Sequence, residues 1–314
     1  MNISPLELVR EDLKSVEKRM QNFPVPPARL IRESLDHLLA AGGKRLRPTL
    51  SLLFGRMLRV PDDPLIDFSA SLELIHTATL VHDDVVDDSP LRRGVQTVNS
   101  RLAAGTAILV GDFLFACAAQ LAAAAGSLPV MQKFASTLSI IVDGEVRQIT
   151  KADSTCTLEE YERQIWSKTA ALFEVSCEGP ALLAQDLPAS KHAADYGRAF
   201  GMAFQIADDL MDFSGDSTGA GKPVGHDLHQ GLLTLPAIFF FHNHPEDPDV
   251  AAFQSGKRNP DRLERLVEKI GASEAVELSR KRARHHIEQA VAALVSFPTG
   301  DHRSALEALA ISIV

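Results

Sequence analysis

Residues 65–88 read LIDFSASLELIHTATLVHDDVVDD, and this stretch decides the class of the whole chain. Leu65, Phe68, Leu72, Ile75 and Thr79 recur at i, i+3, i+7, i+10 and i+14, which puts them on one face of a long helix. That helix runs into His82-Asp83-Asp84-Val85-Val86-Asp87-Asp88. Asp83 and Asp87 fall one turn apart on a common face, with Asp84 and Asp88 beside them. Like charges at this spacing destabilise a helix by about 0.2–0.5 kcal/mol a pair. Four clustered carboxylates therefore call for a compensating cation or for open solvent.

A second aspartate pentad, Asp208-Asp209-Leu210-Met211-Asp212, follows Phe204-Gln205-Ile206-Ala207. A single pentad reads as a solvated helix end. Two of them, each behind an apolar stretch (72–81 and 202–207), read as carboxylates close to a core. Hard oxygen donors suit Mg²⁺, which takes a few carboxylates together with substrate phosphates, and the chain has no His or Cys pairs at zinc spacing. This chemistry alone predicts a phosphate or diphosphate ester as substrate.

The rest of the chain agrees with an all-α fold. Alternating strand patterns are nearly absent, and 158–183, 191–212 and 261–295 read as further long helices. Ser4-Pro5 reads as a helix start. Breaks fall where Pro and Gly gather, at 23–27, 60–64, 186–188, 215–225 and 242–248, and none is a convincing interdomain linker. The expectation is one helical domain over residues 1–314.

The bulk composition narrows the classes of partner. The chain is 45% hydrophobic and 23% charged, which suffices for a sizeable core. A net charge of −9 argues against nucleic acid and against an anionic membrane surface. Cys117, Cys156 and Cys177 are widely spaced, which fits a reducing cytoplasm rather than a disulfide framework. The first residues carry charge from Glu7 onward and lack a signal-peptide core. The uncharged segment 113–132 is alanine-rich and interrupted by Gly126 and Pro129, so it reads as a buried helix rather than a membrane span.

Cations occur where phosphates would need them. Gly42-Gly43-Lys44-Arg45-Leu46-Arg47-Pro48 places three cations behind two glycines without the spacing of a P-loop. Leu91-Arg92-Arg93-Gly94 follows the first pentad; by itself such a pair reads as simple neutralisation. Lys168 stands alone in an apolar helix, where a lysine more often snorkels than binds. Gly221-Lys222-Pro223 lies in a glycine-rich loop after the second pentad.

Taken in order, GGKRLRP (42–48), ELIHTATLVHDDVVDDSPLRRG (73–94), VGDFLF (110–115), DGEVRQ (143–148), SKTAALF (167–173) and FQIADDLMDFSGDSTGAGKPVGHDLHQGLLTLP (204–236) resemble the trans-prenyltransferase, or polyprenyl synthetase, family. The resemblance implies a bundle of long helices around a deep central cavity, usually dimeric, with heteromers also known. It implies a Mg²⁺-dependent condensation of isopentenyl diphosphate with an allylic diphosphate to a longer all-trans polyprenyl diphosphate. Asp83, Asp84, Asp87, Asp208 and Asp212 would bind Mg²⁺, three ions per site. Arg92 and Lys168, assisted by Lys222, would hold the allylic diphosphate. Lys44, Arg47, His76 and Arg93 would hold isopentenyl diphosphate, and Thr169 and Gln205 would lie near the developing allylic cation.

One departure is Leu232, where many relatives carry a lysine. Ala78 and Thr79, just before the first pentad, are small where short-chain relatives have an aromatic plug, so the wording resembles medium- and long-chain synthases. A bulky group deeper down, among Leu74, Ile75, Phe113 and Phe115, would set the final length. Short-chain synthesis, a partner-subunit role and a class I terpene cyclase stand as alternatives. The cyclase is disfavoured by GGKRLRP, since it has no second diphosphate to bind.

Overall fold

The computed structural model describes residues 4–22, 28–40, 42–92, 94–150, 155–213, 224–257 and 259–314. Arg93 and Lys222 lie outside the described residues. The chain forms two compact units, one of residues 1–137, 174–194 and 294–308, the other of 138–173, 195–293 and 309–314. Their boundaries fall inside helices or, at 293/294, directly between a helix and a 3₁₀ turn, so neither is marked off by a linker in sequence. The fold is all-α.

The first unit begins with α1 (Pro5–Leu8), α2 (Arg10–Gln21), α3 (Arg29–Ala40), α4 (Leu46–Met57) and α5 (Asp62–Val86). Ser4 precedes Pro5 at the helix start, but its hydroxyl makes no capping bond. A short hairpin of β1 (Leu91–Arg92) and β2 (Val95–Gln96) follows, then α6 (Val98–Arg101) and α7 (Ala104–Ala124). The hairpin has no periodic signature, because two residues per strand are too few to show alternation.

Helix α5 is the axis of this unit, with α2, α4 and α7 packed on it. Every residue from Leu65 to Ile75 is buried, well beyond the single stripe that the spacing predicts. Burial on all sides is tolerated because the polar groups are matched. Arg19 pairs with Asp67, Arg45 Nη1 donates to Glu73 at 2.8 Å, and Ser69 Oγ donates to Ser51 Oγ at 2.9 Å.

The apolar segment 113–132 resolves into the end of α7, a turn at Gly126 and the start of α8 (Leu128–Thr150). Gly126 takes φ +73°, a left-handed conformation that favours glycine. By length and composition α7 could cross a membrane, and 39% of its apolar window is buried. The expected buried helix is thus buried on one face only. Ala107, Val110, Gly111, Leu114 and Ala118 turn inward, while Ile108 and Leu109 are exposed.

The second unit is built on the C-terminal part of α8, α9 (Leu158–Ile165), a π-helical turn (Trp166–Ala170), the start of α10 (Ala171–Leu183) and most of α11 (Leu187–Met211). Thr157 and Glu160 form a reciprocal capping box that starts α9. After α11 come α12 (His226–His229), α13 (Leu235–Asn243), α14 (Pro248–Gln254), α15 (Pro260–Gly271) and α16 (Ala275–Ala293). The 3₁₀ turn at Leu294–Ser296 and most of α17 (Asp301–Ile311) belong to the first unit. The helix expected over 261–295 is two helices. The break falls near Ser273, whose hydroxyl accepts the backbone N–H of Ala275 at 3.2 Å and so competes with helix continuation.

Two apolar clusters fill this unit. One joins Leu228, Phe240, Phe253, Leu266 and Ile270; the other joins Tyr161, Ile165, Met202, Ile206, Leu235 and Ile238. An ionic cluster ties α14 to α15: Asp249 accepts from Arg265 Nη2 at 2.8 Å and from Lys269 Nζ at 3.0 Å. These cations hold the Asp249 carboxyl down at about 2.

Candidate active site

Both aspartate pentads close a long helix. Helix α5 ends at Val86 with Asp83, Asp84, Asp87 and Asp88 at its C-terminal end, and α11 ends at Met211 with Asp208, Asp209 and Asp212 there. The C-terminal end of a helix carries partial negative charge, so carboxylates there are unfavourable without cations. A helix-end stop would be cheaper with any neutral residue.

In the first pentad Asp83 is half-buried, Asp87 is exposed, and Asp84 is only 4% exposed. Asp84 Oδ1 accepts from Arg92 Nε at 2.8 Å, across the turn that leads to β1. Burial raises the Asp84 carboxyl above the usual range, with Arg92 opposing that shift. Immediately before the pentad, His82 sits against α7. Its Nε2 lies 3.1 Å from the carbonyl oxygen of Ile108, and a Cβ at Gly111 would come within 2.2 Å of it. Only glycine permits that approach. The ring of Phe115 meets His82 edge-on at 5.3 Å, and Ala78 is fully buried.

The basic loop divides its labour. Arg45, at φ +48°, is the anchor, pairing with buried Glu73 and with Glu17. Lys44 is exposed and Arg47 half-buried at the start of α4, and His76 is half-buried on α5. The sequence offers no cue for Arg45 as the structural member of the three.

In the second unit the π-helical turn carries Lys168 and Thr169. Such turns add a residue to the helical turn and re-aim side chains, and they recur at functional sites. Helix α8 packs tightly on this turn. A Cβ at Gly144 would come within 2.3 Å of Ser167 Oγ, and beside it Glu145 Oε1 pairs with Lys168 Nζ at 2.9 Å. Glu145 within DGEVRQ is a partner of the predicted Lys168 that sequence reasoning missed. Its only signal is an acidic residue in a block that the resemblance already marked.

Thr169 Oγ1 donates to Gln205 Oε1 at 2.7 Å, so the structure brings this predicted pair together. Gln205 Nε2 donates to Asp209 Oδ1 at 2.9 Å, and the Tyr161 hydroxyl donates to Asp209 Oδ2 at 2.6 Å. Asp209 is 5% exposed, and burial drives its carboxyl up to about 7. Asp208 is exposed beside it. Asp212 accepts the backbone N–H groups of His226 and Asp227 at 3.0 and 3.1 Å, at the start of α12.

Among the described residues no three His, Cys, Asp or Glu side chains form a ready-made metal cage. A Mg²⁺ that arrives with a diphosphate needs only one or two carboxylates, because substrate oxygens and water complete its shell. Asp83, Asp87, Asp208 and Asp212 offer such hard oxygens at helix ends where positive charge is favourable, so the residues fit the ion. A cavity of about 710 Å³ on α9, α11 and α16, lined by Trp166, Arg198 and His286 among others, contains none of the sequence-predicted residues. Its charged lining, Glu159, Glu162, Asp195, Arg163 and Arg198, includes neither aspartate pentad and no residue of the basic loop.

The chain is 36% identical to octaprenyl diphosphate synthase of Escherichia coli (strain K12), over 99% of this chain and 98% of that protein. It is 34% identical to heptaprenyl diphosphate synthase component 2 of Geobacillus stearothermophilus, over 96% and 95%. A polyprenyl synthase from Caulobacter crescentus CB15, solved with calcium and isoprenyl diphosphate, superposes with a TM-score of 0.91 at 34% identity, covering 98% of this chain and 96% of that one. The Polyprenyl synthetase family profile matches residues 28–270. With both pentads, the basic loop and the lysine-bearing π-helical turn all in place, the chain belongs to the polyprenyl synthetase family.

Proposed function

We propose that the protein lengthens an allylic diphosphate with isopentenyl diphosphate to an all-trans polyprenyl diphosphate of medium or long chain. The observation that carries this reading is the retention of both aspartate pentads in a chain that aligns end to end with an octaprenyl synthase. The small pair Ala78 and Thr79 before the first pentad supports the longer product.

In this reading Asp83, Asp87, Asp208 and Asp212 hold Mg²⁺, three ions per site. Asp84, expected from the resemblance among the metal ligands, is buried against Arg92 and in this reading contributes by orienting it. When bound, the metal neutralises charge that grows on the departing diphosphate. Arg92 and Lys168, with Lys222, hold the allylic diphosphate. Lys44, Arg47, His76 and Arg93 hold isopentenyl diphosphate. As the allylic C–O bond breaks, the oxygens of Thr169 and Gln205 face the developing cation. The isopentenyl double bond attacks that carbon, a new C–C bond forms, and the proton lost from the adduct goes to the released diphosphate. Exclusion of water protects the cation from hydrolysis. No nucleophilic triad is needed. The exposed apolar residues Ile108 and Leu109 of α7 support a homodimer, and the three widely spaced cysteines support the cytoplasm.

The test is incubation of purified protein with Mg²⁺, isopentenyl diphosphate and allylic diphosphates of increasing length, with products resolved by chromatography. Elongated polyprenyl diphosphates are expected, and chelation of the metal abolishes them. Cyclic hydrocarbon would indicate a terpene cyclase. Turnover only on addition of a second protein would indicate a component of a heteromer, as the name of the Geobacillus relative suggests for that protein.

A further inference from the structure

Asp209 is the member of the second pentad for which the mechanism above has no use. Its carboxylate accepts one donor on each oxygen, the Tyr161 hydroxyl and the Gln205 amide, and both Asp209 and Tyr161 are shielded from water. In its ionised form Asp209 is an acceptor only, so Gln205 presents its NH₂ to Asp209 and its carbonyl to the opposite side. That carbonyl oxygen accepts the Thr169 hydroxyl. A flipped amide would set two N–H donors where the oxygen now lies and would turn the wrong end of its dipole toward positive charge. Tyr161, by holding the second oxygen, keeps the carboxylate from rotating.

The helix geometry explains why Tyr161 is in reach. At about 100° per residue, Tyr161 and Thr169 would diverge by about 80° on a regular helix. The wider π-helical turn at Trp166–Ala170 absorbs part of that angle, so both residues meet α11, where Gln205 and Asp209 share a face at i and i+4.

We propose that Tyr161 and Asp209 are positioning residues that fix the orientation of the Gln205 amide, and through it the Thr169 hydroxyl, while the allylic cation forms. The inference rests on the prenyl-transfer reading and adds residues to it. The test is a double-mutant cycle with steady-state elongation kinetics. Tyr161→Phe lowers kcat about tenfold with KM for both diphosphates nearly unchanged, and Asp209→Asn does the same. In a Gln205→Leu background, Tyr161→Phe lowers kcat no further. An equal loss in both backgrounds, or no loss in either, overturns the proposal. A second measurement needs no turnover: in protein labelled with ¹⁵N at glutamine, the Gln205 side-chain amide protons exchange slowly in the wild type and faster in Tyr161→Phe. Fast exchange in the wild type also overturns it. A wild type that protects this amide yet fails to elongate would refute the functional reading and leave the positioning intact.

Discussion

In each aspartate pair the second carboxylate turns inward and the first stays nearer to solvent. Asp84 and Asp209 are 4% and 5% exposed and are held by Arg92 and by Tyr161 with Gln205, whereas Asp83 is half-buried and Asp208 exposed. The i and i+4 positions thus remain for cations, and the i+1 position serves the protein interior. Two kinds of loss should follow. Asp83→Ala or Asp208→Ala abolishes elongation but leaves the melting temperature at or above that of the wild type, because like-charge repulsion at a helix C-terminus is relieved. Asp209→Ala lowers the melting temperature as well, by the equivalent of about 1–3 kcal/mol, because a buried Tyr161 hydroxyl and an amide lose their acceptor. Calorimetry beside an elongation assay separates the two. Wild-type activity in Asp83→Ala or Asp208→Ala would remove the metal assignment. The sequence shows two identical-looking aspartates in each pair; which one turns inward depends on Arg92, 8 positions from Asp84, and on Tyr161, 48 positions from Asp209, and local pattern does not reach that far.

Among the elements, α5 was legible as a helix from its spacing, and its burial on every side was not, because spacing reports one partner face and α5 has several. The π-helical turn was invisible for a related reason. Its sequence, WSKTA, suits an ordinary helix, and the extra residue is accommodated by close packing of α8 through Gly144. Chain length belongs to this scale. Ala78→Phe adds a bulky ring at a fully buried position on α5, near the contact of His82 with α7, and the expected outcome is a product spectrum shifted to shorter chains. An unchanged spectrum would place the floor of the product channel elsewhere. The ties between α14 and α15 give a pH dependence of known sign. The folded Asp249 carboxyl, at about 2, lies below its unfolded value of about 3.9, so its stabilisation is complete above the unfolded value and is lost as the pH falls toward 2. In urea titrations the wild type should lose more stability between pH 7 and pH 3 than Asp249→Asn does. Equal losses would show that the cluster does not act through this carboxylate.

For the molecule as a whole, the open question raised by the surface is what covers α7. Ile108 is 44% exposed and Leu109 is 63% exposed on a helix whose opposite face is in the core. Isolated apolar residues on a surface are ordinary, but a long helix whose single charge is Asp112 and whose Ile108 and Leu109 lie bare fits an interface. Leu109→Glu is expected to convert a dimer to a monomer in sedimentation velocity. A monomeric wild type, or a variant that remains dimeric, would rule this face out. The amino-acid sequence by itself determined the all-helical class, the sites of both pentads and the basic segments that accompany them, because helical periodicity and charge clustering are local quantities. Only the tertiary structure decided which aspartate of each pair is buried, that Arg45 rather than Lys44 or Arg47 anchors the basic loop, and that Tyr161 stands behind Gln205. Those outcomes depend on which neighbouring helix supplies the matching donor, and a buried polar group takes whichever partner the packing brings within hydrogen-bond distance.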